Sequence, residues 1–184
     1  METRAIKSLK PNASRVDAIQ AFSSRGFANK LWQMRTGPLK CIADAYVPCR
    51  LYQARYELSG KMQTRWFALD AVDGSLDLLE FPRLPGLQEL FSIETRNFLQ
   101  PSLTEARAEE LIREKVLRVI FQQGIFKLRG RGLAVVRDRM DLHLPYWLGF
   151  HERRGAIRCR VMDAVRRQIE GAKARAFFEE WLAA

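Results

Sequence analysis

LHLPYWLGFHERRGAIRCRVMDAVRRQIEG, residues 142–171, decides the fold. It opens on Leu144-Pro145, runs through an apolar strand pattern to a turn at Gly155, and ends at Asp163-Ala164-Val165. An earlier stretch, YVPCRLYQARYELSGKMQTRWFALDAVDG (residues 46–74), follows the same plan, with Val47-Pro48, Gly60 and Asp70-Ala71-Val72 at the matching places. From proline to glycine the first copy takes 12 steps and the second 10; from glycine to aspartate they take 10 and 8. Strand side chains alternate between faces, so a difference of two residues keeps each on its own face, whereas one residue would invert the strand. The two stretches therefore read as a duplicated strand–turn–strand element.

Outward from these hairpins, helices precede each copy. Ser14 and Asp17 form a capping-box-like start, and Val16, Ile19, Phe22, Phe27 and Leu31 recur at helical spacing until Gly37-Pro38. A second box, Ser102 and Glu105, opens a run through Leu111, Ile112, Val116, Val119 and Ile120 that stops at Gly124. Strands are expected over 39–47, 50–58 and 62–72, with Ser59-Gly60-Lys61 as one hairpin turn and Asp73-Gly74 as another leading into 76–81. In the second copy they are expected over 125–131, 133–144, 146–152 and 156–162. Val165, Ile169, Ala172, Ala176, Phe177 and Trp181 fit a terminal helix with Asp163 as its N-cap. The predicted organisation is α+β: a basic arm over 1–13, a first α+β copy over 14–81, a proline-punctuated connector over 82–101, and a second copy with a C-terminal helix over 102–184.

An apolar fraction of 47% and 19 aromatics suffice for a packed interior in 184 residues. No run reaches the roughly 20 apolar residues of a membrane span, and the polar start METRAIKSLKPNASR lacks a signal-peptide core. The expectation is a cytoplasmic protein with no membrane span. Cys41, Cys49 and Cys159 show no Cys-x-x-Cys spacing, which signals neither a disulfide framework nor a zinc knuckle.

The net charge of +10 is unevenly spread. Residues 1–40 carry 8 basic and 2 acidic side chains, residues 41–123 carry 10 and 12, and residues 124–175 carry 13 and 5. That asymmetry points to an anionic partner, an acidic protein or a nucleic acid, and the alternation of signs permits a homodimer.

No motif signals catalysis, metal or cofactor. The chain has neither a Gly-x-Ser-x-Gly elbow nor a P-loop, and Gly130-Arg131-Gly132 precedes a strand rather than a helix. His143 and His151 share a strand parity but lie about 26 Å apart along a continuous strand, too far to hold one metal. Asp70, Asp73 and Asp77 occupy a strand end and turn, where aspartate serves the backbone. The constellation with binding chemistry is basic and aromatic: Lys127, Arg129 and Arg131 form one row, Arg158 and Arg160 another, and Trp147 and His151 lie on the face opposite Tyr146 and Leu148. On an open sheet face these residues would stack bases and contact phosphates. Under helices, the arginine stems would instead cover apolar surface.

The alternation of helix and meander, with a strand ending in Asp70-Ala71-Val72-Asp73-Gly74, resembles the PepSY-type repeat over about 60 residues. The second copy keeps Asp163-Ala164-Val165 and loses the final turn. The resemblance implies a helix packed on a small antiparallel sheet and a binding or inhibitory role, associated with extracytoplasmic proteins. Sequence alone thus predicts a non-catalytic binding module using a basic surface of the second copy. The alternatives are a nucleic-acid-binding protein and an enzyme whose site is assembled from both copies.

Overall fold

In the computed structural model, residues 3–23, 27–58, 61–122 and 132–183 are described. They form a mixed fold of eight strands and four helices: β1 (Arg4–Leu9), α1 (Arg15–Ser23), α2 (Phe27–Thr36), β2 (Leu39–Leu58), β3 (Lys61–Asp70), β4 (Leu79–Phe81), β5 (Leu90–Thr95), α3 (Glu105–Gln122), β6 (Ala134–Arg153), β7 (Ala156–Asp163), β8 (Gln168–Ile169) and α4 (Ala172–Ala183). The α+β expectation holds at this level. Among the described residues, no helix is long and apolar enough to cross a membrane.

The chain divides into two compact units, interleaved in sequence rather than consecutive as 14–81 and 102–184. Unit 1 comprises Met1–Val47, Phe91–Leu99 and His143–Ala184; unit 2 comprises Pro48–Leu90 and Gln100–Leu142. Each therefore takes its main helix from one of the two stretches expected as copies and its hairpin from the other. The strands of β2 and β6 are long because residues expected as two strands run on as one: 39–58 and 134–153, straight through Pro48 and Pro145.

Unit 2 is a helix on strands in the order β4-β3-β2-β6, with β3 antiparallel to both β2 and β4. α3 buries Ala108, Ile112, Val116 and Ile120. That spacing of four sets one helical stripe against Tyr52, Ala54, Tyr56, Phe67 and Leu69 of the sheet. Arg50 crosses to the start of the helix, donating to the Leu103 carbonyl at 2.7 Å.

Unit 1 orders its strands β8-β7-β6-β1-β5, with β6 and β7 antiparallel and β1 parallel to β6 at Ser8↔His143. The expected loose basic arm is thus a strand. Its alternation is visible only after pairing: Ile6, Ser8 and Leu9 are buried, and Ser8 Oγ donates to the His143 carbonyl at 3.0 Å. α1 starts with the expected box, the Ser14 amide donating to Asp17 Oδ2 at 2.8 Å and the Asp17 amide to Ser14 Oγ at 3.2 Å. Phe22 of this helix lies over Gly149, where a Cβ would come within 2.6 Å of the ring.

Two further expectations are corrected. α3 is capped by Thr104, whose hydroxyl accepts from the Arg107 amide, whereas Ser102 Oγ donates to the Val72 carbonyl. Asp163 does not cap the terminal helix, which begins at Ala172. Its Oδ1 instead accepts from the Val165 and Arg166 amides, both at 2.8 Å, and holds the turn after β7.

The same backbone frame recurs in both units. In unit 2 Cys49 pairs with Asp70, the Ala71 amide donates to Pro48 O, and Ala71 O accepts from the Ser102 and Leu103 amides. In unit 1 Tyr146 pairs with Asp163, the Ala164 amide donates to Pro145 O, and Ala164 O accepts from the Asn12 and Ala13 amides. Leu9-Lys10-Pro11 and Leu99-Gln100-Pro101 precede the residues that close these frames.

Candidate functional site

Residues at equal distances from the two aspartate pairs can be compared directly. Along the helix-facing side, unit 2 carries Arg50↔Leu69, Tyr52↔Phe67 and Ala54↔Arg65. Unit 1 carries Trp147↔Met162, Gly149↔Arg160 and His151↔Arg158. The first pairs play one role: Trp147 Nε1 donates to the Ala13 carbonyl at 2.9 Å, as Arg50 does to Leu103. At the next two positions an apolar interior gives way to an arginine, a glycine and a histidine.

His151 is completely buried. Its Nδ1 lies 3.1 Å from the Gly37 carbonyl, which can only accept, so Nδ1 carries the hydrogen. Gly37 has φ +86 and a Cβ there would lie 1.9 Å from the Glu152 carbonyl oxygen, so only glycine permits this approach. Nε2 is then a bare lone pair in the neutral ring, and it has no hydrogen-bond partner. Burial depresses the His151 pKa below its ordinary 6.5, the Gly37 bond opposes that shift, and the Arg160 charge adds to it.

Trp32 of α2 meets His151 edge-on at 6.3 Å between ring centroids. Its indole Nε1–H is likewise buried without an acceptor. Two guanidiniums lie over this indole: Arg160 of β7 at 5.5 Å and Arg175 of α4 at 5.3 Å from the ring centroid, within cation–π range. Arg160 is half-buried, and burial lowers its pKa with no carboxylate opposing the shift. Among the described residues, its guanidinium donates to the Phe22 carbonyl at 3.5 Å. Unit 1 thus concentrates two cations, an orphan donor and an orphan nitrogen around one ring.

Four of the seven predicted binding residues can be placed. Arg160 and His151 belong to this cluster. Arg158 is exposed near the β6–β7 turn, beside Arg153 and Arg154. Trp147 is half-buried and tied to Ala13, so neither it nor the enclosed His151 offers an open stacking surface. Lys127, Arg129 and Arg131 lie outside the described residues. Trp32 and Arg175 escaped the sequence reading, which scored their helices for apolar periodicity alone.

The other reactive side chains are occupied structurally. Burial, chiefly, pushes the Cys159 thiol up to about 12, which keeps it protonated and a poor nucleophile. Asp70 accepts from the Asp73, Gly74 and Leu76 amides. His143 Nδ1 meets the Lys7 carbonyl at 3.1 Å. Among the described residues, no cluster of three His, Cys, Asp or Glu could hold a metal. No protein-family model, curated protein or solved structure matches the chain.

Proposed function

We propose that the protein is a non-catalytic binding module that takes an anionic partner on unit 1. The observation that carries this reading is the contrast at equivalent positions: Arg160 and His151 in unit 1 against Phe67 and Ala54 in unit 2. Burying polar groups without partners costs stability, so retaining them in only one of two equivalent frames suits a binding role. Charge agrees, with 17 Lys and Arg against 9 Asp and Glu in unit 1 and 14 against 12 in unit 2. The matching hydrogen-bond frames support descent from one duplicated element whose helices are exchanged between hairpins. Unit 2 then keeps the apolar core, and unit 1 has diverged toward binding.

Nucleic-acid binding is the second reading. The exposed Arg153, Arg154 and Arg158 favour it as phosphate contacts. The burial of His151 and the tether on Trp147 count against base stacking.

The test is fluorescence anisotropy with labelled single- and double-stranded DNA and RNA and with polyglutamate, titrated across salt. Binding that falls with salt and weakens in a combined Arg153→Ala, Arg154→Ala, Arg158→Ala variant supports the module. Binding to nucleic acid alone selects the second reading. An absence of binding to every probe at low salt, or turnover traced to a carboxylate or thiol of this chain, refutes the proposal.

A further inference from the structure

The cluster around Trp32 is more specific than a charged face. Arg160 and Arg175 both supply guanidinium donors beside the same indole, and neither has an ion-pair partner among the described residues. The indole Nε1–H is a buried donor that lacks an acceptor. An oxyanion would satisfy all three, since its oxygens accept from planar guanidiniums and from a ring N–H alike. His151 imposes a further condition. With Nδ1 committed to the Gly37 carbonyl, the neutral ring presents Nε2 as an acceptor, on a side chain wholly removed from water. An oxyanion that also carries a hydroxyl meets that nitrogen with a donor. Sulfate and a carboxylate have no such hydrogen at neutral pH, and a phosphodiester has lost it to its second ester bond.

We propose that unit 1 holds a protonated phosphate group, free or as the end group of a monoester, with Arg160, Arg175 and the Trp32 indole N–H donating to its oxygens and His151 Nε2 accepting from its P–OH. This rests on the reading of unit 1 as the anion-binding half, and it names the ligand chemistry. It also separates this cluster from nucleic-acid binding, whose backbone phosphates are diesters. No bond is made or broken; the group is bound through hydrogen bonds and charge.

The experiment follows the indole N–H resonances of the full chain by nitrogen-15 NMR, with the Trp32 signal assigned by its loss in Trp32→Phe. Inorganic phosphate, methyl phosphate, dimethyl phosphate and sulfate are titrated at constant ionic strength. The expected result is a saturable shift of the Trp32 signal by inorganic phosphate, with sulfate and dimethyl phosphate weaker by about tenfold or more, the loss of one hydrogen bond to a charged group. A response to methyl phosphate as well identifies the end group of a monoester, and its absence identifies the free ion. Arg160→Gln and Arg175→Gln each weaken phosphate about tenfold or more, whereas Arg113→Ala, at an exposed position of α3, leaves it unchanged. The other indole signals, held in place in each variant, report that the fold is intact.

Equal responses to phosphate and sulfate, or none to phosphate, overturn the phosphate site. If polyanion binding through Arg153, Arg154 and Arg158 persists in that case, the binding module stands and only the phosphate site falls. If both are absent, both readings fall.

Discussion

Replacing Arg160 by methionine should strengthen the fold while weakening the anion site. The guanidinium is half-buried, and among the described residues the cation–π contact with Trp32 and a 3.5 Å bond to the Phe22 carbonyl offset its lost hydration. The cation–π contact contributes about 0.5–2 kcal/mol, and a hydrogen bond at that length adds little. Removing a fully buried ion from water costs several kcal/mol, of which a half-buried group bears a part, about 1–3 kcal/mol. Methionine keeps most of the stem's packing and occupies the place that Phe67 fills in unit 2. The net expectation is a gain of about 1 kcal/mol, or roughly 2–4 °C in Tm for a chain of this length. The assay is thermal and urea unfolding in phosphate-free buffer, repeated with phosphate. Wild type should gain about 2.7 kcal/mol at a hundred times its Kd, and Arg160→Met at the same phosphate concentration about 1.4 kcal/mol or less. A variant less stable than wild type by more than about 1 kcal/mol without phosphate would refute the reasoning, because Arg160 would then be a structural residue.

Three other perturbations probe the supports of the site. Gly149→Ala drives a Cβ to 2.6 Å from the fully buried Phe22 ring; urea midpoints should show a loss of about 1–3 kcal/mol, largely recovered by adding Phe22→Leu, and strict additivity would show that the clash is relieved elsewhere. The His151 pKa is lowered in the folded state, so below its ordinary 6.5 the unfolded chain binds more protons and stability must fall as pH drops. Stability should be level above about pH 6.5, decline from there until the folded-state value is passed, and lose that slope in His151→Gln. Asp163→Ala strands the Val165 and Arg166 amides at a residue 2% exposed, and Asp70→Ala strands those of Asp73, Gly74 and Leu76. Each should cost about 2–4 kcal/mol in urea unfolding, and a negligible effect at either would remove the structural equivalence of the two turns.

The hairpins were legible because they are local. The alternation at Tyr52, Ala54 and Tyr56 and the two-residue bookkeeping between the copies define β2–β3 and β6–β7 without help from distant chain. The Ser14–Asp17 box was legible for the same reason. β1 was not, since Arg4-Ala-Ile-Lys-Ser-Leu acquires a buried side only by pairing with residues near His143. The N-cap of α3 was misplaced onto Ser102 because matching Ser to Ser overlooked Leu99-Gln100-Pro101, which echoes Leu9-Lys10-Pro11 and puts Thr104 opposite Ser14. Which helix covers which hairpin lies beyond periodicity altogether, because an apolar stripe such as Ala108, Ile112, Val116 and Ile120 fits either sheet.

The site was half-legible, and the missing half was available in the correspondence between the two hairpins. Matching the copies only at their prolines, glycines and aspartates describes architecture. Carrying the match through every strand position sets His151 against Ala54 and Arg160 against Phe67, two polar residues where the other copy is apolar. Matching backbone frames supply a reference: one unit states what the frame needs for stability, and departures in the other stand out against it. Trp147 against Arg50 shows the limit of this logic, since both reach the backbone before the following helix and the difference changes no role. His151 and Arg160 pass the same comparison, because in the folded chain the histidine keeps an unpartnered nitrogen and the arginine an uncompensated charge. That unmet bonding capacity, rather than basicity as such, is why the cluster around Trp32 and not the whole charged face is the place to look for a ligand.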